Sequence, residues 1–237
     1  MEIELQNNQE TQPNAEVAEP AANRIAFYGG SFDPMHSGHL EIGKAVIDQF
    51  ELSEFVYVPA FHAPHKLDRK PTSAFHRFAM LSLSTINDNN LSVSAMELEM
   101  PERPFTVETL GRLINELPAA EIYFVMGADS WADICTWREW EQVLTMSNHI
   151  VVTRPGHPIK FDHVTDSIRK RIIDVRGSTS SILPRLSEET RIYLTDAVES
   201  NASASEIRKK IQRKEAGWSR DVPIEVAKYI EKYELYR

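Results

Sequence analysis

Cysteine is nearly absent: Cys135 is the only one in 237 residues. A single thiol excludes an internal disulfide and a cysteine-rich zinc site. Long apolar runs are missing too, and none approaches the ~18–20 residues of a spanning helix. The chain is nonetheless 42% hydrophobic, enough for a packed core. No basic stretch leading into an apolar one opens it, so no secretory signal is expected. Positive charge is scarce as well, with 35 acids against 26 bases and a formal charge of −9. Five of the acids (Glu2, Glu4, Glu10, Glu16 and Glu19) precede the first basic residue, Arg24. The remainder is close to balance and has no basic field to hold a nucleic-acid backbone. These absences point to a cytoplasmic protein that binds neither a nucleic-acid polymer nor a membrane.

Residues 1–23 are mostly Glu, Gln, Asn, Ala and Pro, without an aromatic or an apolar period. Such a segment buries too little to offset its ordering entropy, so a disordered acidic tail is expected before a single domain over 24–237. Beyond the tail, short apolar runs alternate with amphipathic stretches. Strands are expected at 24–28, 55–58, 91–99, 121–126, 149–153 and 192–194. Helices are expected near 38–50, 74–86, 106–117, 138–144, 162–173, 203–213 and 223–233. Alternation of this kind predicts an α/β fold with a doubly wound parallel sheet, whose ligands bind beyond the carboxyl ends of the strands.

The first strand runs into Gly29-Gly-Ser-Phe-Asp-Pro-Met-His-Ser-Gly-His39. Three of the nine glycines fall in these eleven positions, where a bare backbone can approach a ligand and a helix start offers unpaired N–H groups to an anion. The pattern is neither Gly-x-Gly-x-x-Gly nor a P-loop. It sets His36 and His39 three residues apart across Gly38, able to face one phosphate-sized space. Two other readings remain open: a helix cap with two surface histidines, or a metal pair completed by Asp33, His62 or His65 folding back.

With its His-x-Gly-His turn after a first strand, the chain resembles the nucleotidyltransferase superfamily, and within it the bacterial nicotinate-nucleotide adenylyltransferases. Ser31 stands where that family usually has Thr. The similarity continues in order through Val58-Pro59, Ala63-Pro-His-Lys66, Arg103 to Leu110, Gly127-Ala-Asp-Ser130, Thr136-Trp-Arg-Glu-Trp140, Thr153-Arg-Pro-Gly156 and the segment from Val222 to Tyr236. Ser203-Ala-Ser-Glu-Ile-Arg208 resembles the superfamily's second signature, with Ala202 for the usual Ile and Ser205 for the usual Thr.

On physical grounds alone, Ser203 with Glu206 reads as a capping box. Ser203, Ser205 and Arg208 at a helix start also make a phosphate cradle. Asp129 at a strand end reads as a helix cap or as an acceptor for a nucleotide. Among the clustered tryptophans, Trp131 and Trp140 read as core, and Trp137 reads as core too on packing alone; the resemblance instead implies that its indole stacks on a cationic pyridinium ring.

The resemblance implies a Rossmann-like fold and transfer of the adenylyl group of ATP to nicotinate mononucleotide, releasing pyrophosphate. It implies His36, His39 and Arg208 as catalytic, with no protein metal site and Mg²⁺ carried mainly by the ATP phosphates. It implies ATP contacts from Gly29, Gly30, Ser31, Phe32, Gly38, Gly127, Asp129, Arg154, Ser203 and Ser205. For nicotinate mononucleotide it implies His65, Lys66, Thr106 and Trp137. An imidazole beside phosphate is expected to favour its protonated form. Nicotinamide mononucleotide as acceptor, a non-catalytic nucleotide sensor, and a homo-oligomer all remain compatible with these motifs.

Overall fold

Ile25, Ala26, Phe27 and Tyr28 are all buried, so both faces of the first strand must be covered by other elements. This is the signature of a parallel sheet between two helical layers. The computed structural model describes residues 23–61, 71–100, 104–153, 159–178, 181–182, 189–196, 198, 200 and 202–237. Its strands are β1 (Asn23–Gly30), β2 (Glu54–Pro59), β3 (Leu91–Val93), β4 (Ala120–Gly127), β5 (Asn148–Val152), β6 (Ile172–Asp174) and β7 (Ile192–Thr195). They form one sheet in the order β3-β2-β1-β4-β5-β7-β6. Every pairing is parallel. The expected acidic tail lies outside the described residues except for Asn23, which already belongs to β1.

The helices are α1 (Ser37–Phe50), α2 (Ala74–Thr85), α3 (Thr106–Glu116), α4 (Ala128–Ala132), α5 (Trp140–Met146), α6 (Asp166–Arg169), α7 (Ala204–Gln212) and α8 (Ile224–Lys232). Side chains alternate across each strand, so the sheet carries two cores. Ala26, Tyr28, Tyr57 and Val125 face the layer of α1, α2, α7 and α8. Ile25, Phe27, Val56 and Phe124 face the layer of α3 to α6.

Glycine inside α1 would normally weaken it. At Gly43 a Cβ would stand 2.4 Å from the Tyr57 hydroxyl, so its absence lets that hydroxyl donate to the His39 carbonyl at 2.9 Å. Helix α1 is thereby held close over β2.

Two expected elements are corrected. The helix expected over 162–173 is only α6; beyond it, Ile172 and Ile173 pair with Ile192 and Tyr193 as the edge strand β6. A short β-branched run next to helical spacing is ambiguous by periodicity, and the partner strand decides it. The strand expected over 91–99 stops at Val93. Past it, Ser94 Oγ accepts the Met96 N–H and the Ala95 carbonyl accepts from Leu98 and Glu99, closing a turn. The capping box expected at Ser203 is absent as well. Ser203 is the N-cap residue without a side-chain cap, and Glu206 instead accepts from Lys209 Nζ at 2.7 Å.

Candidate active site

Strand order reverses between β1 and β4, leaving a crevice at their carboxyl ends, where doubly wound sheets bind ligands. A cleft opens there, lined by Tyr28, His36, Gly38, Gly127, Thr153 and Ser200 among others. β1 contributes the Gly-rich turn, β4 ends in Gly127, β5 leads to Thr153, and the chain beyond β7 contributes Ser200.

His36 is the N-cap residue of α1 and is buried, while His39 is half-buried in the first turn. Their rings stack at 3.6 Å with an interplanar angle of 22°. Stacking sets the two imidazoles side by side, with His36 lining the cleft. The His36 backbone N–H donates to His39 Nδ1 at 3.3 Å. With that lone pair engaged, the His39 ring proton resides on Nε2, an N–H donor directed away from the backbone.

Phe32 supports this pair from beneath. It is buried with a φ of 45°, and its ring meets His39 edge-on at 5.0 Å and Tyr57 at 5.7 Å. Its side chain thus belongs to the core under the site, while its backbone passes through the turn. A Cβ at Gly30 would lie 2.8 Å from the Phe32 ring, so the ring packs against a bare backbone there. At Gly38 a Cβ would lie 2.7 Å from Ser200 Oγ and 3.3 Å from His36 Nδ1. Gly29 is likewise closed in, by Phe124, whereas Gly127 faces open space.

Arg208 crosses from α7 to the first turn. Nη1 donates to the Asp33 carbonyl at 2.5 Å and Nη2 to Ser205 Oγ at 3.1 Å. Two segments 175 residues apart in sequence therefore meet at the cleft. Ser31, Ser203 and Arg208 are half-buried, and Ser205 is exposed. Asp129 is exposed in the first turn of α4, whose N-cap is Gly127, so it is not the cap residue.

Thr106 and Trp137 lie on the other face of the sheet. Thr106 opens α3, and half-buried Trp137 meets Phe124 edge-on at 6.3 Å. Arg138, next to Trp137, joins the two regions: its guanidinium lies 4.9 Å over the Phe105 ring and 3.3 Å from Glu108. Trp131 is buried and Trp140 half-buried against the same core, as expected for packing residues. His65, Lys66 and Arg154 lie outside the described residues, as does His62. Among the described residues no three His, Cys, Asp or Glu side chains form a group that could hold a metal ion.

Sequence reasoning did not assign Ser200, Thr153 or Arg77 to this region. Ser200 carries no local pattern, and Thr153 stood only in a segment matched by resemblance; both reach the cleft because β4, β5 and β7 follow one another across the sheet from β1. Arg77 carried a signal, since it occupies the buried stripe of α2 with Met80, Leu81 and Thr85, where an apolar residue is the norm.

The Cytidylyltransferase-like family model matches residues 27–210. A Corynebacterium glutamicum protein named "Probable nicotinate-nucleotide adenylyltransferase" is 32% identical over 214 residues, covering 90% of this chain and 88% of that protein. A Thermoanaerobacter protein of the same name is 33% identical over 218 residues, covering 90% and 94%. The solved Plasmodium falciparum nicotinic acid mononucleotide adenylyltransferase complexed with NaAD superposes with a TM-score of 0.67 at 24% identity, covering 90% of this chain and 97% of that one. At that identity the superposition shows the shared fold. From the matched family and the extent of these similarities, the chain belongs to the cytidylyltransferase-like family, among the nicotinate-nucleotide adenylyltransferases.

Proposed function

We propose that this protein transfers the adenylyl group of ATP to nicotinate mononucleotide, giving nicotinate adenine dinucleotide and pyrophosphate in NAD biosynthesis. The observation that carries the reading is the meeting of Arg208 with the Asp33 carbonyl, which brings the second signature onto the His-x-Gly-His turn. An oxygen of the mononucleotide 5′-phosphate attacks the α-phosphorus. The bond between that phosphorus and the α–β bridging oxygen breaks, and its electron pair leaves with pyrophosphate. The nucleophile is already an anion at neutral pH, so catalysis consists of alignment and charge neutralisation.

In this proposal His39 donates from Nε2 to a phosphate oxygen beside His36, and Arg208 adds a fixed positive charge. The N–H groups that open α1 and α7 contribute their dipoles. Backbone at Gly29, Gly30, Ser31, Phe32 and Gly38 lies along the phosphates, with Gly127, Asp129, Ser203, Ser205 and Arg154 on the ATP side. Thr106, Trp137, His65 and Lys66 serve the nicotinate end. Mg²⁺ would be carried mainly by the ATP phosphates and water, which suits an ion that keeps waters and needs few protein ligands, and would neutralise phosphate charge there. The Asp33 carboxylate is turned toward Tyr236, which suits that mode better than direct coordination. A cytoplasmic location is part of the reading, supported by the near absence of cysteine; among the described residues no helix is long and apolar enough to cross a membrane.

Pyrophosphate release from Mg-ATP, with nicotinate and nicotinamide mononucleotides in parallel, tests this. Preference for the acid is the expected result. Preference for the amide would overturn the acceptor and keep the chemistry. ATP binding without release with either would replace the enzyme by a nucleotide sensor.

A further inference from the structure

Arg77 is 1% exposed, on the buried stripe of α2. A guanidinium taken from water is costly unless its N–H groups are satisfied. Each of its three nitrogens finds a main-chain carbonyl here. Nε donates to Thr72 at 3.0 Å, Nη1 to Ser31 at 2.7 Å, and Nη2 to Ala60 at 2.7 Å and Phe61 at 3.4 Å.

Stability alone does not account for such a residue, because well-packed apolar side chains often replace buried charges without loss. Geometry does. Ser31 belongs to the turn after β1, Ala60 and Phe61 follow β2, and Thr72 precedes α2. The planar fork gathers these three segments at one point. The Ala60–Phe61 link is held from other sides as well: Ala60 N–H donates to the Gly30 carbonyl at 2.8 Å, and Phe61 N–H to Glu97 Oε2 at 3.4 Å. Glu97 Oε1 is itself held by Thr109 of α3 at 3.1 Å. Ser31 stands two residues before Asp33, where Arg208 is anchored.

We propose that Arg77 is a positioning residue for adenylyl transfer, fixing the turn that faces the ATP phosphates against the chain leaving β2 on the acceptor side. The inference rests on the function proposed above. Arg77 acts through Ser31, Ala60 and Phe61 and sets the alignment of the attacking phosphate with the α-phosphorus. Misplacement by about 1 Å between reacting groups is enough to lose about 100-fold in rate. Lysine cannot replace it, because an ammonium lacks the fork that spans three segments.

The test begins with turnover of the wild type, then compares Arg77→Lys and Arg77→Ala, each checked by circular dichroism and thermal melting. For Arg77→Lys the expected result is a kcat lower by about 100-fold with a KM for ATP changed by less than about threefold. Millimolar guanidinium is expected to restore Arg77→Ala by roughly tenfold, and ammonium or sodium to do nothing. A lower melting temperature with unchanged kcat per folded molecule and no selective rescue overturns the inference. Should Arg77→Ala not fold, the kcat of Arg77→Lys decides alone. A wild type silent with both mononucleotides overturns function and inference together, whereas an active wild type matched by Arg77→Lys overturns the inference only.

Discussion

The hydroxyl of Tyr236 donates to Asp33 Oδ1 at 2.9 Å across 203 positions of sequence. Both side chains are buried. Burial, with the Asp33 carboxylate next to it, pushes the Tyr236 hydroxyl well above its ordinary pKa, so it remains a donor. The same aspartate offers its carbonyl to Arg208. One residue of the first turn is therefore held by α7 through its backbone and by the segment after α8 through its side chain.

Tyr236→Phe removes this donor and leaves a buried carboxylate short of a partner. The expected cost is about 1.5–3 kcal/mol of stability, read as a lower urea midpoint. Because Arg208 is anchored on the same residue, kcat is expected to fall as well. A destabilised variant with wild-type kcat would confine Tyr236 to the fold.

His39→Ala removes the Nε2 donor and half of the imidazole stack. Losing one preorganised donor to a developing charge costs on the order of 10²–10³ in kcat. Steady-state turnover at saturating ATP measures it, and near-wild-type turnover would remove His39 from the mechanism.

Trp137→Ala separates packing from stacking. Loss of base–aromatic stacking would weaken the nicotinate nucleotide by about 1–3 kcal/mol, seen as a higher KM for that substrate with the KM for ATP unchanged. A drop in melting temperature with both KM values intact would place the indole with Phe124 in the core.

His149 sets an acid limit on stability. It is fully buried on β5, where Nδ1–H donates to the Ser147 carbonyl at 3.0 Å and Nε2 has no partner among the described residues. Burial lowers its pKa to about 4. The unfolded chain binds this proton near pH ~6.5 and the folded one only near 4. Between these values the unfolded state holds more protons, so stability falls as pH drops, by up to about 3 kcal/mol. Above that window the group adds no pH dependence. Urea midpoints from pH 7 to 4 should show the decline, and His149→Leu should flatten it.

Legibility differed among elements for physical reasons. β1, β2, β4 and β5 were evident because strands covered on both faces need unbroken apolar runs. α1 and α3 were evident because one-sided burial imposes helical spacing. The edge strands were read less well: β3 was expected but as a longer strand, and β6 was read as helix, since each pairs over only three residues. The capping box at Ser203 failed because Glu206 has a nearer partner in Lys209, one turn along the same helix.

His36, Gly38 and His39 were readable because a phosphate turn is local: glycine, imidazole and helix start lie within a few residues of each other. Arg208 was readable as part of a cradle at a helix start, and as catalytic by resemblance, but its meeting with Asp33 was not readable at all. The sequence by itself determined the alternation of strands and helices, the composition of the first turn, and which side chains could neutralise phosphate. Strand order, the insertion of β7 between β5 and β6, and the convergence of Asp33, Arg77, Ser200, Arg208 and Tyr236 were decided by tertiary structure. Those contacts join segments far apart in the chain, and a hydrogen bond to a distant carbonyl leaves no periodicity behind. Only the packing of two helical layers on one twisted sheet brings such partners within reach.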